Sequence, residues 1–552
     1  MPVDTRLKVM LFSHICTPTH ITGAEKFLLF YIQELRQYHD CLLVVPNEGI
    51  LSVEARARGI TVLTLRYPLL WAIYSPGPFI EQQFEQFVRQ GESTLGIMQI
   101  INAHKPDYVV ANTCVNVMPP VVATAMGVPV IWMITETLEE GPYTPLSVDI
   151  INRHSSRIIG ISSSTLQSFQ GAGIEEKKFI LYPSWNKEEL EPGGWEYYRQ
   201  VKRAEISVLP HEPLVGYISS NIYPNKGLDH FINMALGICV EIPDVKFVII
   251  GTPSNQDFYA LCLERIRQSG YGHRFSVLSF VLRTQEIYPA MDVVVIPSLQ
   301  NEGFGMTALE GMIFQKPVIA YASGGLEEIL NHTGNSAYLV PKGNADGLLQ
   351  TIRPLLYDPA VRQNAGMHNG QAAEQIFGVM TYRQRLQDWL AQLHNLMLYK
   401  DMRGEPSLPT SILGRVVIRS SKRRAYILHQ GIRYSIQTPA SSFNTNRTLQ
   451  KSPNVPATLV AQFPESSIPY HMTIEDHKEP RLQRRSKRKK IKIVRKKVTG
   501  KRLKRVRKKP VQKKRVQKKR SLLIPKRTKR RAVNQVKHVK VRRQASIKKV
   551  KR

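Results

Sequence analysis

Apolar and polar positions along the 552-residue chain fall into two similar blocks. In the first, short apolar runs at Lys8 to Phe12, Cys41 to Val45, Tyr108 to Ala111, Val128 to Ile134 and Arg157 to Ile161 alternate with longer amphipathic stretches. A short, nearly continuous apolar run between polar breaks predicts a strand buried on both faces. The amphipathic stretches between such runs predict the crossover helices of successive βαβ units. A polar and aromatic stretch from Pro183 to Tyr198 interrupts the pattern. It then resumes with Leu214 to Ile218, Val245 to Ile250, Val277 to Val281, Val293 to Ile296 and Val318 to Ala320. The predicted class is α/β: two doubly wound Rossmann-like domains, residues 1–190 and 191–381, facing each other across a cleft. Two domains also suit the length, which exceeds what one hydrophobic core usually serves.

Beyond these blocks the periodicity changes. Residues 382–398 place apolar side chains at 386, 389, 390, 393, 396 and 397, a helical spacing that predicts a terminal helix over 382–402. Residues 403–480 are rich in Ser, Thr, Pro and Asn and read mainly as linker, although GRVVIRSSKRRAYILHQGIRYSI has the composition of a short strand pair.

Charge sets the last 72 residues apart. Residues 481–552 contain 37 Lys or Arg and no Asp or Glu, against a whole-chain formal charge of +34, which leaves residues 1–480 near −3. Dense like charge with little apolar surface cannot offset the entropy of ordering, so this tail is expected to be disordered when free. Val-Gln-Lys-Lys-Arg occurs twice in succession at 511–520. Such a segment binds polyanions by counterion release. With no Phe, Tyr or Trp after residue 480, stacking on single-stranded bases is not expected. An anionic membrane surface, a cell-wall polymer, a nucleic acid and an acidic protein all fit, and the sequence does not choose among them.

The five cysteines (16, 41, 114, 239 and 262) are scattered and include no C-x-x-C pair, so neither a metal site nor a disulfide framework is expected. No signal-peptide core stands at the N-terminus, and no run approaches the roughly 20 apolar residues that span a bilayer. The expected compartment is the cytoplasm, with the tail able to attach the protein peripherally to an anionic membrane.

The candidate chemistry is concentrated in residues 291–328, MDVVVIPSLQNEGFGMTALEGMIFQKPVIAYASGGLEE. An apolar strand ends at Pro297 and Ser298, and a polar loop brings Glu302, Gly303, Phe304 and Gly305 to a helix starting near Met306. A second strand and the Gly324-Gly325 turn follow, leading to Glu328. Open parallel sheets bind ligands beyond the carboxyl ends of their strands, and a helix N-terminus with free N–H groups suits a phosphate. Gly303 and Gly305 allow close backbone approach to an anion, and the carboxylates of Glu302 and Glu310 accept from sugar or ribose hydroxyls. A nucleotide-sugar fits that combination.

This segment, the N-terminal strand and glycine loop KVMLFSHICTPTHITGAEKFLLFYIQEL and the lysine loop GYISSNIYPNKGLDHFI resemble glycosyltransferase family 4, the retaining, metal-independent enzymes of GT-B architecture that use nucleotide-sugars. The resemblance covers residues 7 to 398. It implies that Lys226 neutralises the departing diphosphate and that Glu302 contacts the transferred sugar. Glu310 would meet the ribose, Gly303 to Met306 would supply backbone donors, and Gly23 would let the donor phosphate approach. Phe304 belongs to the donor loop, its ring read as shaping that loop. Glu136 and His14 fall on the acceptor side, with a structural histidine the plainer reading for His14 and for His20. Glu328 reads as a helix-start residue. No metal or cofactor beyond the donor is expected, and the terminal helix would cross back to the first domain. Two positions depart from the family pattern: Asn221 stands where an arginine is expected, and Thr135 where many members have a histidine. They keep a second reading open, a degenerate transferase that acts as a polyanion-binding scaffold through its tail.

Overall fold

The computed structural model describes residues 6–171, 173–400, 415–420, 424–437, 452–466 and 470–471, with side chains on the helix Val379–Lys400 described as far as residue 394. The basic tail lies outside the described residues.

Seven parallel strands form the first sheet: β1 (Lys8–Phe12), β2 (Asp40–Val45), β3 (Thr61–Thr64), β4 (Tyr108–Asn112), β5 (Val130–Ile134), β6 (Arg157–Gly160) and β7 (Lys178–Ile180), in the order β3-β2-β1-β4-β5-β6-β7. Six more form the second: β8 (Leu214–Ile222), β9 (Lys246–Pro253), β10 (Phe275–Leu278), β11 (Val293–Ile296), β12 (Val318–Tyr321) and β13 (Leu339–Val340), in the order β10-β9-β8-β11-β12-β13. All ladders in both sheets are parallel. The central strands are mainly apolar because both of their faces are covered. In β1, Val9 and Leu11 enter one core while Met10 and Phe12 enter another.

The strand order reverses between β1 and β4 in the first sheet and between β8 and β11 in the second. At such a switch point the flanking crossovers run to opposite faces and leave a crevice at the carboxyl ends. His14 follows β1 and the Lys226 loop follows β8, so the sheet order itself brings the candidate residues to the crevices.

The helix Pro359–Phe377 ends at Gly378, and the helix Val379–Lys400 returns to the first domain. Tyr382, Leu386, Trp389 and Leu393 are buried in one core with Phe30 and Tyr31. Tyr382 meets Phe30 edge to face at 4.9 Å, and Arg383 donates to Glu34 at 2.7 and 3.1 Å.

The linker reading of residues 403–480 needs correction for the part that is described. β14 (Val416–Arg419), β15 (Ala425–His429), β16 (Ile432–Gln437) and β17 (Tyr470–His471) form a small sheet, antiparallel except for the β16/β17 pair. Val416, Ile418, Tyr426 and Leu428 are buried against the first domain, and Gly431 N–H donates to the Ala125 carbonyl at 2.9 Å. The alternate residues Val417, Ala425, Ile427 and Tyr434 form a separate apolar cluster. Elsewhere the run expected over Val277 to Val281 is strand only from Phe275 to Leu278. The short strands β3, β7 and β13 lack the apolar run that marks their neighbours. All five cysteines are free thiols. Among the described residues no helix is long and apolar enough to cross a membrane.

Candidate active site

β8 continues past a register shift between Ile218 and Asn221 into the turn Pro224–Lys226. Gly227, at φ 70°, then opens the helix Leu228–Glu241, and a Cβ there would collide with the Pro297 carbonyl. Only glycine lets the lysine loop lie this close to the loop after β11. The close approach places Lys226 Nζ 2.6 Å from Glu302 Oε1, which also accepts from Ser298 Oγ at 2.6 Å. The two side chains are 20% and 18% exposed, so the pair is largely shielded yet open to the cleft. Burial alone would push Glu302 up, but Lys226 and the Ser298 hydroxyl outweigh it and hold the carboxyl below its ordinary value. Burial likewise pulls Lys226 down, and Glu302 reverses the sign.

Gly305, at φ 104°, caps the helix Met306–Ile313 with no side-chain hydrogen bond, which leaves the first N–H groups of the helix to a ligand. One turn along, Glu310 Oε1 lies 2.6 Å from Lys26 Nζ of the first domain, and Oε2 accepts from Tyr288 OH at 2.8 Å. Gly23 faces Met306, whose Cγ would lie 3.3 Å from a Cβ on Gly23. A Cβ on Gly303 would collide with the Thr135 carbonyl. The two glycines therefore serve close packing of the domains. Phe304 is 2% exposed, with its ring packed against Tyr182 and Phe377, so the side chain shapes the loop from the core and does not face the cleft. Asn221 shares a 3.4 Å contact with His20 Nε2 and accepts from Ser254 Oγ at 3.1 Å. A neutral amide thus stands where the arginine was expected.

Around Gly23 the backbone is held by a capping box. Glu25 Oε2 accepts from both the N–H and the hydroxyl of Thr22 at 2.9 Å, while Glu25 Oε1 has no hydrogen-bond partner among the described residues. Burial pushes Glu25 up to about 7, against the lowering effect of Thr22. Because the folded value exceeds the unfolded one, its contribution to stability is fully present below about pH 4.5 and is lost as pH rises through 7. Glu25→Gln retains an acceptor for Thr22 without the charge. The variant is expected to gain about 2 kcal/mol on wild type between pH 5 and pH 8. Urea unfolding at the two pH values checks this, and parallel pH profiles for the two proteins would contradict it.

A cavity of about 720 Å³ opens between the domains, with His14, Glu136 and Glu302 in its walls. Glu136 accepts from Cys114 N–H at 3.2 Å and from the Thr135 hydroxyl at 2.9 Å, and burial pushes its carboxyl up. Burial pulls His14 down to about 3, so its ring is neutral at ordinary pH. Thr135 thus orients Glu136 where a histidine was expected.

Sequence reasoning missed several participants. Lys26 follows Gly23 by three positions, nearly one helical turn, and so faces the cleft with it. Tyr288 and Ser298 are remote in sequence from the carboxylates they hold. Glu328 is more than a helix-start residue: it accepts from the N–H groups of Ser163 and Ser164 at 3.0 and 3.2 Å and from Tyr182 OH at 2.7 Å, joining the domains. Among the described residues no cluster of three or more His, Cys, Asp or Glu is placed to hold a metal ion.

The chain is similar in fold to the Anabaena protein HepE, solved in complex with UDP and glucose. It superposes with a TM-score of 0.58 at 21% identity, covering 70% of this chain and 99% of that one. The fold is GT-B. A glycosyltransferase from Rickettsia africae shares the GT-B arrangement at a TM-score of 0.57 and 17% identity, over 71% of this chain and 99% of that one. Residues 212–358, the second GT-B domain with the Lys226 and Glu302 loops, match the family model for glycosyl transferases group 1. An uncharacterized glycosyltransferase of Methanocaldococcus jannaschii is 32% identical over 193 residues, 34% of this chain and 47% of the relative. A D-inositol 3-phosphate glycosyltransferase of Mycobacterium marinum is 28% identical over 197 residues, 35% and 40% of the two chains. The chain thus spans less than half the length of these two curated relatives.

Proposed function

We propose that the protein is a retaining glycosyltransferase that moves a sugar from a nucleotide-diphosphate-sugar to a hydroxyl acceptor. The supporting observation is the Lys226–Glu302 pair on the cleft, with Glu310 one turn along the uncapped helix that Gly305 opens. Such a cluster presents a cation and free N–H groups to a departing diphosphate and carboxylates to sugar and ribose hydroxyls. The charge of the leaving group is met by protein atoms, so the reading needs no metal or further cofactor. Retention of configuration and the individual residue roles follow the family 4 resemblance.

The test is nucleoside diphosphate release by the full-length protein from UDP-, GDP- and ADP-sugars, with candidate glycan or protein acceptors, beside Glu310→Ala. HepE was solved with UDP-glucose as well as with UDP and glucose, so UDP-glucose heads the panel. Release from one donor, lost in Glu310→Ala, is the expected result. Silence from every donor would falsify the reading.

In this structure Lys26 occupies the Glu310 carboxylate that the ribose is to use. Lys26→Met is therefore expected to lower the donor KM severalfold with kcat nearly unchanged, because displacing a partly exposed ion pair costs about 1 kcal/mol at most. A raised KM would instead make Lys26 a donor ligand.

A further inference from the structure

The cavity beside Glu302 has an uneven lining. Trp71 and Tyr74 stand in its walls, and Trp71 is 62% exposed. A wide aromatic ring left in water at the wall of a polar cavity offers the flat apolar face on which the C–H side of a pyranose packs, while polar groups around it fix orientation. The segment after β5 adds Glu136, Glu139 and Glu140, the last two exposed. Opposite them, Lys342 donates to Asn301 Oδ1 at 2.5 Å, and the charge of Glu302 is matched by Lys226. Carboxylates therefore outnumber the available cation.

His14 supplies an independent sign of a ligand. It lines the same cavity at 7% exposure, and among the described residues its Nδ1 has no hydrogen-bond partner. Buried polar atoms in native folds are nearly always paired, and a neutral imidazole both donates to and accepts from a hydroxyl.

We propose that this cavity is the acceptor subsite and takes an uncharged or cationic polyhydroxylated acceptor, a neutral or amino sugar, while rejecting phosphorylated and carboxylated ones. Rejection follows from like charge at Glu139 and Glu140, which face the cavity with no cation between them and the acceptor among its lining side chains other than Lys342. The proposal rests on the transferase reading above. In the transfer, an acceptor hydroxyl oxygen bonds to the anomeric carbon as the bond from that carbon to the diphosphate oxygen breaks. The diphosphate keeps the bonding pair, and the hydroxyl proton leaves with it.

The experiment is nucleoside diphosphate release by the full-length protein from its hydrolysed donor, with a panel of neutral, amino, 6-phosphorylated and uronic-acid hexosides. Neutral and amino hexosides are expected to stimulate release at least tenfold more than their anionic counterparts. The double variant Glu139→Lys, Glu140→Lys should narrow that preference at least fivefold, and Trp71→Ala should raise the acceptor KM about tenfold. Equal stimulation by anionic and neutral hexosides, stimulation by none, or an unchanged preference in the charge-reversed variant overturns the proposal. Absence of release from any donor strikes the transferase reading instead, so the two failures are told apart.

Discussion

With methionine in place of Lys226, nucleoside diphosphate release is expected to fall about a thousandfold, chiefly in kcat. One fixed donor aimed at charge that develops in the transition state is worth about 3–4 kcal/mol, and on the proposed reading Lys226 is that donor, held in a largely shielded pair. The substitution also strands Glu302, whose charge loses the partner that offsets its burial. The double variant Lys226→Met, Glu302→Gln separates the two effects: it should recover thermal stability and leave the rate low. Single-turnover release beside a melting curve checks both. A raised KM with unchanged kcat would move Lys226 from transition-state stabilisation to ground-state binding.

Asp292→Ala is expected to destabilise the protein by about 3–5 kcal/mol, the range for breaking a buried charge pair from one side. Asp292 accepts from Arg199 at 2.8 Å, from Arg203 at 3.1 Å and from Leu214 N–H at 2.7 Å, with its side chain 13% exposed. Alanine would leave two guanidinium groups facing each other at the foot of β8 and β11. Burial holds Lys316 down to about 8 despite the nearby Asp292 charge, and losing that charge drives it lower. A urea midpoint shift measures the loss. A change below about 1 kcal/mol would mean that the carbonyls of Pro289 and Ala290, which also accept from Arg199, satisfy the arginines alone.

What could be read without coordinates follows from how locally each feature is encoded. β1, β4, β5, β9 and β11 are covered on both faces, so their sequences are apolar runs that announce themselves. β3, Thr61–Thr64, sits at a sheet edge and begins and ends on exposed threonines, so no run marks it. The Gly303 and Gly305 loop stood out because turn residues punctuate a strand-to-helix junction. Its partners did not, because Lys26 is 284 residues from Glu310, and Glu328 is 165 from Ser163. Those pairings depend on how two separately wound sheets meet, and no local spacing reports it. The sheet at 415–437 was obscured for a related reason. Its strands alternate faces, and the burial of Val416 and Ile418 becomes visible only once the first domain is there to cover them.

That last feature bears on the order in which the molecule can be completed during synthesis. The second domain runs without interruption from Trp195 to Phe377 and holds its whole sheet within that span. The first opens at β1 but buries Trp389, Leu393, Val416, Leu428 and Phe463 in its cores, and these leave the ribosome only after the second domain has been made. Domains that emerge early generally fold early. Here that rule meets a limit: the earliest strands wait for the latest core residues, and the domain synthesised first is finished last.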